Sequence, residues 1–394
     1  MKKLISIFFL LPFVFSALNI QAFVTKFVSV SLAQNMAYSN VLLIIAGTIL
    51  LLKESKPFPY TIKLWIGFFL FYYCFGLIGN ILHFPEAPLL KTLIPIIYFI
   101  GFSFLLGKNE YFKLFSKVAT LTLIIASLML IYFQRINFSM DSGGIYEYEL
   151  SRAGGLYGDA NNAALVCLLS FVFIKNVFIP INLFQKIIKI LCLAISLYAL
   201  VLTFSNTGFI ILLIILGLSY QRFFKPKRIL FLIIIIPLAA FFLIQGALNS
   251  SFLNSIQKNR IENVINVLTL NTEQVSYSGR EELLKNMMNY VNENPFIGNG
   301  VYFSTSISGH NTIIGVWADA GIFSFMFFLF LLFQHFIRAL LSRVEYRYFS
   351  LSILVILTIY MITLQTVINQ PYLIVLFAFI GYMITEDKIY EPLP

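Results

Sequence analysis

The sequence predicts an all-α protein: a polytopic transmembrane helical bundle of about 12 spans, with a large outer loop containing short amphipathic helices. Three observations lead there. Hydrophobic residues fill 59% of the 394 positions and charged residues only 11%, where water-soluble domains run near a quarter charged. Apolar runs of roughly 18–22 residues, each long enough for about 30 Å of hydrocarbon, recur from end to end. Runs of this length are not the short alternating segments of a membrane β-barrel.

Taken in order, the runs predict spans at 4–22, 36–52, 62–82, 88–107, 114–133, 158–178, 185–203, 205–221, 228–247, 311–335, 347–367 and 370–385. The first follows Lys2 and Lys3. Cleavage after Ala17 or Ala22 would put Phe15 or Ile20 at the −3 position, so the run reads as an uncleaved helix. The stretch 185–221, interrupted by Ser205, Asn206, Thr207 and Gly208, reads either as two short spans or as one broken helix. Cys74, Cys167 and Cys192 sit in apolar runs with no CxxC spacing and read as packing residues.

The net charge of +10 reports orientation rather than a nucleic-acid partner. With the N-terminus in the cytoplasm, most lysines and arginines fall on the cytoplasmic side, and an even number of spans returns the C-terminus there. The chain reads as one integral membrane domain, 1–394. Two outer loops exceed the usual connector length, 134–157 and 248–310, the second inserted between spans 9 and 10. That loop carries its own helix signal. Ser278 and Glu281 have capping-box spacing, Leu283, Leu284, Met287, Met288 and Val291 follow at helical intervals, and Asn294-Pro295 and Gly298 stop the run.

The candidate functional residues gather on the outer side. His310 stands beside Asn311 where the long loop meets a span, and a neutral imidazole there can take a proton from a hydroxyl. The competing reading is a plain helix start capped by Asn311. His83, and His335 some ~37 Å further along the same helix, read as interfacial residues. Arg280 lies in the first turn of the loop helix, and Arg152 in the glycine-rich stretch SRAGGLYGDANNAALV. Both read as phosphate-binding guanidinium groups or as interfacial anchors. Asp159 and Asn162 read as a helix cap or as ligands for sugar hydroxyls. Tyr146, Tyr148 and Tyr302 are candidates to stack on sugar rings. Asp319 is an acid at a depth that demands a partner, and at ~100° per residue it lies on the opposite helix face from His310. Carboxylates are too scattered to predict a metal site, and no cofactor is predicted.

In order and spacing these segments resemble the O-antigen polymerase/O-antigen ligase superfamily of bacterial membrane glycosyltransferases. His310-Asn311 followed by Gly321 resembles its His-Asn…Gly signature. SGREELLKNMMNYVNENPFIGNG (278–300) resembles its Ser-Gly-Arg segment leading to Pro-x-x-Gly-x-Gly, and RAGGLYGDANNAA (152–164) its Arg…Gly…Asp-Pro-Asn stretch. Asp319 stands at a position usually acidic in the family. Asn206 stands where many relatives, ligases above all, carry arginine, Ala160 replaces the proline, and Ser324 stands where glycine, threonine or tyrosine is common.

The resemblance implies transfer of a glycan from undecaprenyl diphosphate without a metal. His310 and Arg280 would be catalytic; Arg152, Asn311, Asp159, Asn162 and Tyr302 would bind substrate, and Asp319 and Asn206 would support them. It implies a lipid-linked oligosaccharide, membrane lipids and a chain-length-regulating co-polymerase as partners, and the bacterial inner membrane with a periplasmic active site as location. The missing arginine at Asn206 favours polymerase over ligase. A polysaccharide or lipid transporter is the competing class; it predicts inverted repeats and midplane charges, whereas here the charges gather at the span ends.

Overall fold

The computed structural model describes residues 2–53, 57–84, 89–140, 144–145, 151–219, 255–268 and 280–385. The predicted span 228–247, Tyr146, Tyr148, the Ser278–Gly279 half of the capping pattern and the side chain of Arg280 lie outside the described residues.

Fifteen described helices run in chain order: α1 (Lys2–Ala17), α2 (Ile20–Phe27), α3 (Val30–Leu52), α4 (Tyr60–His83), α5 (Leu89–Leu106), α6 (Asn109–Arg135), α7 (Ala160–Val177), α8 (Leu183–Leu202), α9 (Asn206–Ser219), α10 (Ser255–Leu268), α11 (Arg280–Glu293), α12 (Phe303–Ser306), α13 (Thr312–Leu341), α14 (Val344–Thr363) and α15 (Pro371–Thr385). Eight of them, α3 to α8 with α13 and α14, are long and apolar enough to cross a membrane; α9 and α15 are apolar but shorter. The fold is thus an all-α membrane bundle. A two-residue antiparallel ladder, Phe138 with Ile145 and Ser139 with Gly144, interrupts the first long loop.

Contacts between helix ends show that the spans alternate in direction. At one end Lys2 pairs with Glu110 at 2.7 Å, the Arg338 guanidinium lies over the Tyr60 ring at 4.4 Å, and the Tyr382 hydroxyl donates to Ser103 O. At the other end the Tyr157 hydroxyl donates to Ala17 O, the Thr312 N–H donates to Leu364 O, and Asn80 accepts from the Val301 N–H. The core between them is almost wholly apolar, with α7 and α15 its most enclosed walls. Those two strings of Leu, Val, Ile and Phe have no polar face because neither has a solvent side to serve.

Three expectations need correction. The run 4–22 is not one helix: α1 ends at Ala17 and α2 leaves at 61°. Asn19 sits at the break in a left-handed conformation (φ 52°), which asparagine tolerates, and its amide donates to Leu156 O at 2.6 Å, so the bend is tied to the loop before α7. His335 is not interfacial but fully buried. Its Nε2 accepts from the Trp65 indole N–H at 3.3 Å, so its Nδ1 carries the proton and donates to Leu331 O at 2.9 Å. A count of helical rise located His335 along its helix, but nothing local foretold Trp65 from α4 covering it. Cys74 is exposed on the bundle's outside, while Cys167 is buried and Cys192 intermediate. The alternatives at 185–221 resolve into two separate helices, α8 and α9, joined by a turn at Thr203–Ser205 where Phe204 adopts φ 44°.

Candidate functional site

α13 holds the first half of the site because it is broken. Ala320 and Gly321 leave helical geometry, Gly321 at φ 75° and ψ 179°. A break in a membrane helix strands carbonyls and N–H groups that have no water to turn to. Here the turn after α11 supplies the partners. The Asn299 N–H and side-chain amide both donate to Ala318 O (2.7 and 3.0 Å), the Gly300 N–H donates to Asp319 O (2.9 Å), and the Ile322 N–H donates to Pro295 O (2.9 Å).

The spacing of Pro295, Gly298 and Gly300 thereby has a physical reading: the turn plugs a helix break from both sides. It must lie backbone to backbone against the break, so a Cβ on Gly321 would overlap Phe296 O, and one on Gly298 (φ 82°) would overlap the Asp319–Ala320 peptide. The far side of the turn rests on α4, where a Cβ on Gly79 would come within 2.7 Å of the Gly300 N.

Asp319, 2% exposed, is the polar pin of this region. Its Oδ2 accepts from the Tyr72 hydroxyl and its Oδ1 from the Ser304 N–H, each at 2.6 Å. These bonds tie α4, the α12 turn and α13 together, and they run to Tyr72 and Ser304 rather than to His310. Tyr302 begins that turn in a left-handed conformation (φ 73°) and is half-buried; burial and the nearby Asp319 charge raise its phenol pKa, so it stays protonated through the neutral range. α11 packs Met287 and Val291 against Ala318, with Trp317 partly buried beside them and its indole N–H on Pro295 O at 2.9 Å. Arg280 is the first residue of α11.

His310 follows in a left-handed conformation (φ 47°), its N–H donating to Gln365 Oε1 at 3.1 Å. Asn311 is the N-cap of α13, its Oδ1 accepting from the Ile314 N–H at 2.9 Å.

The second half lies at the start of α7. Asp159 caps that helix, one oxygen accepting from the N–H groups of Asn161 (2.6 Å) and Asn162 (3.1 Å), as its cap reading expected. Arg152 Nε donates to Thr203 O at 3.0 Å, while the Ala153 N–H donates to Leu202 O, so the stretch is fastened to the turn between α8 and α9. Ser205 in that turn donates to Asn161 Oδ1 at 2.8 Å. Asn206 opens α9 with its Oδ1 buried and without a hydrogen-bond partner among the described residues.

What joins the halves is the connector 364–370, which the sequence reading passed over. Gln365 accepts from His310 and donates to Thr305 O at 2.9 Å, and Gln370 donates to Asn162 Oδ1 at 3.3 Å and to Thr366 Oγ1 at 2.9 Å. The connector thus binds both the His310 loop and the first turn of α7. A signal was present: LQTVINQ holds four hydrogen-bonding side chains in seven positions between two apolar runs. Tyr72, Asn80 and Ser304 were missed as well, and for them no local signal existed. No three metal-ligating side chains cluster among the described residues.

A family model described as O-antigen ligase matches residues 191–329, from within α8 through the break in α13. Over that segment the chain is similar to the O-antigen ligase family, whose members are glycosyltransferase-like enzymes. No curated protein matches the chain.

Proposed function

We propose that the protein is an O-antigen or related surface-polysaccharide polymerase of the bacterial inner membrane, its site on the periplasmic face and both termini in the cytoplasm. It transfers a growing glycan from undecaprenyl diphosphate to a sugar hydroxyl of a second lipid-linked repeat unit. The observation that carries this reading is the amide-bridged pairing of the His310 loop with the Arg152–Asn162 turn at one end of an apolar bundle. Such an end offers a basic group and a cation together, beside helix walls fit for polyprenyl tails.

In the reaction the acceptor oxygen bonds to the donor's anomeric carbon as the bond from that carbon to the diphosphate breaks. His310 takes the hydroxyl proton, and undecaprenyl diphosphate leaves with the electron pair. Arg152 and Arg280 balance the leaving diphosphate, the role a metal ion would otherwise fill. Asp159, Asn311 and Asn162 shape the surrounding backbone: two cap helices, and the third meets the connector.

The ligase reading, transfer to lipid A-core, is favoured by the matched family's description. Polymerase is favoured by Asn206, a neutral amide where ligase relatives carry arginine. Purified protein in lipid nanodiscs, supplied with lipid-linked repeat units, separates the two: a ladder of products identifies a polymerase, and product only when lipid A-core is added identifies a ligase. Within that assay His310→Asn, which suits the left-handed backbone, lowers turnover by ~10²-fold or more with thermal melting unchanged. Full turnover in this variant would refute the assigned base.

A further inference from the structure

We propose that the cleft between α2 and the 156–158 turn is a subsite for the glycan of the lipid-linked substrate, beyond the sugar at which the new bond forms; this rests on the glycosyl-transfer reading above. The cleft has a volume of about 630 Å³, inside the ~300–1,000 Å³ range of ligand sites. It lies at the same end of the bundle as His310 and Arg152, and its wall residue Gly158 directly precedes Asp159, the cap of α7.

Its walls are fastened before any ligand arrives. The Asn19 amide donates to Leu156 O and the Tyr157 hydroxyl to Ala17 O, each at 2.6 Å, while the Lys26 ammonium donates to Met140 O. Three separate segments are thereby held around one space, and a preformed site costs less ordering on binding.

The lining chemistry selects the ligand class. Gln21 and the second N–H of the Asn19 amide can donate, and both amide oxygens with the Thr25 and Tyr157 hydroxyl oxygens, whose protons go to Gln21 O and Ala17 O, can accept, a mix that suits saccharide hydroxyls; no carboxylate lines the cleft among the described residues. α2 is built for this. Phe23 and Phe27 turn inward onto Phe138 at 6.3 and 5.3 Å between ring centroids, while Gln21 and Thr25, one turn apart and exposed, belong to the cleft wall. An anionic lipid headgroup would call for a cluster of cations, and among the described residues the cleft wall carries Lys26 alone. The bend at Asn19 thus turns what would be the end of a straight span into one wall of a polar trough.

The test fills the trough from its exposed side with Gln21→Trp/Thr25→Trp in the full chain in nanodiscs. With lipid-linked repeat units extracted from producing cells, the double variant should raise KM by ~5–10-fold, the worth of one or two hydrogen bonds, while kcat and thermal melting stay near wild type. An unchanged KM overturns the subsite. Saturation-transfer NMR with the free repeat-unit oligosaccharide, released from its lipid, should give signals with wild type that weaken in the double variant; equal signals overturn the proposal. If wild type forms no product from lipid-linked repeats, the glycosyl-transfer reading fails, and the NMR comparison still decides whether the cleft binds saccharide. Signals from undecaprenyl phosphate, lost in the double variant while the oligosaccharide gives none, would assign the cleft to lipid instead.

Discussion

The two halves of the candidate site are built in opposite ways. Around Asp319 the chain is interlocked: a broken helix, a turn laid against it without room for a Cβ, and a buried carboxylate holding Tyr72 and Ser304. Around Arg152, Asn162 and the 364–370 connector it is linked by a guanidinium and by side-chain amides, several of them half-exposed, at distances up to 3.5 Å. The first half has one arrangement or none. The second tolerates small displacements, because an amide can swing and find another partner. The proposed transfer, with a base held steady beside a variable glycan, would draw on both kinds of wall.

Substitutions can break or sharpen that contrast. The largest effect is expected at the helix break: Gly321→Ala must resolve an overlap with Phe296 O at a left-handed position and should cost roughly 3 kcal/mol or more, read as lost thermal stability in detergent. Next comes Asp319→Ala, which strands the Tyr72 hydroxyl and Ser304 N–H and should cost about 2–4 kcal/mol. Asp319→Asn, which keeps one acceptor, should recover part of that loss. In the amide-linked half the scale falls. Gln370→Ala should cost about 1 kcal/mol or less by melting yet lower turnover severalfold by loosening Asn162; melting losses as large as at Asp319 would erase the distinction between the halves. Smallest is Gly217→Ala on α9, where a Cβ meets nothing within 4 Å among the described residues: stability should stay level or rise by ~0.5–1 kcal/mol.

The halves also differed in how much of them the sequence disclosed. α11 was legible because its signal is local: Leu284, Met287, Met288 and Val291 recur at helical spacing, and Pro295 ends the run. The cap roles of Asp159 and Asn311 were legible for the same reason, each bonding within three residues. Tyr72 and Asn80 were not, because their partners lie 247 and 221 residues away and α4 reads as one apolar helix with polar atoms scattered through it. Gln365 and Gln370 escaped differently. Predicted spans at 347–367 and 370–385 absorbed them, since averaged hydropathy lets Leu and Ile outvote a few amides. α14 in fact ends at Thr363 and α15 begins at Pro371, which leaves seven residues outside both helices, Gln365 and Gln370 among them. The Asn19 bend was hidden likewise, inside a run apolar enough to pass for a straight helix.

The break in α13 also settles a matter of length. Its 30 residues would reach about 45 Å if straight, half as far again as the ~30 Å of hydrocarbon they cross. Divided at Gly321, the part beyond the break, 322–341, comes to about 30 Å, and the eight residues from Thr312 to Asp319 are left over. Those eight are more than a crossing of that thickness needs, and they pack on α11 and the turn after it instead. Adding or deleting a residue below the break would be absorbed as tilt, whereas the same change above it would rotate those residues and carry His310 away from Gln365. The chain has two rulers on one helix, one matched in length to a bilayer and the other to the turn packed against the break.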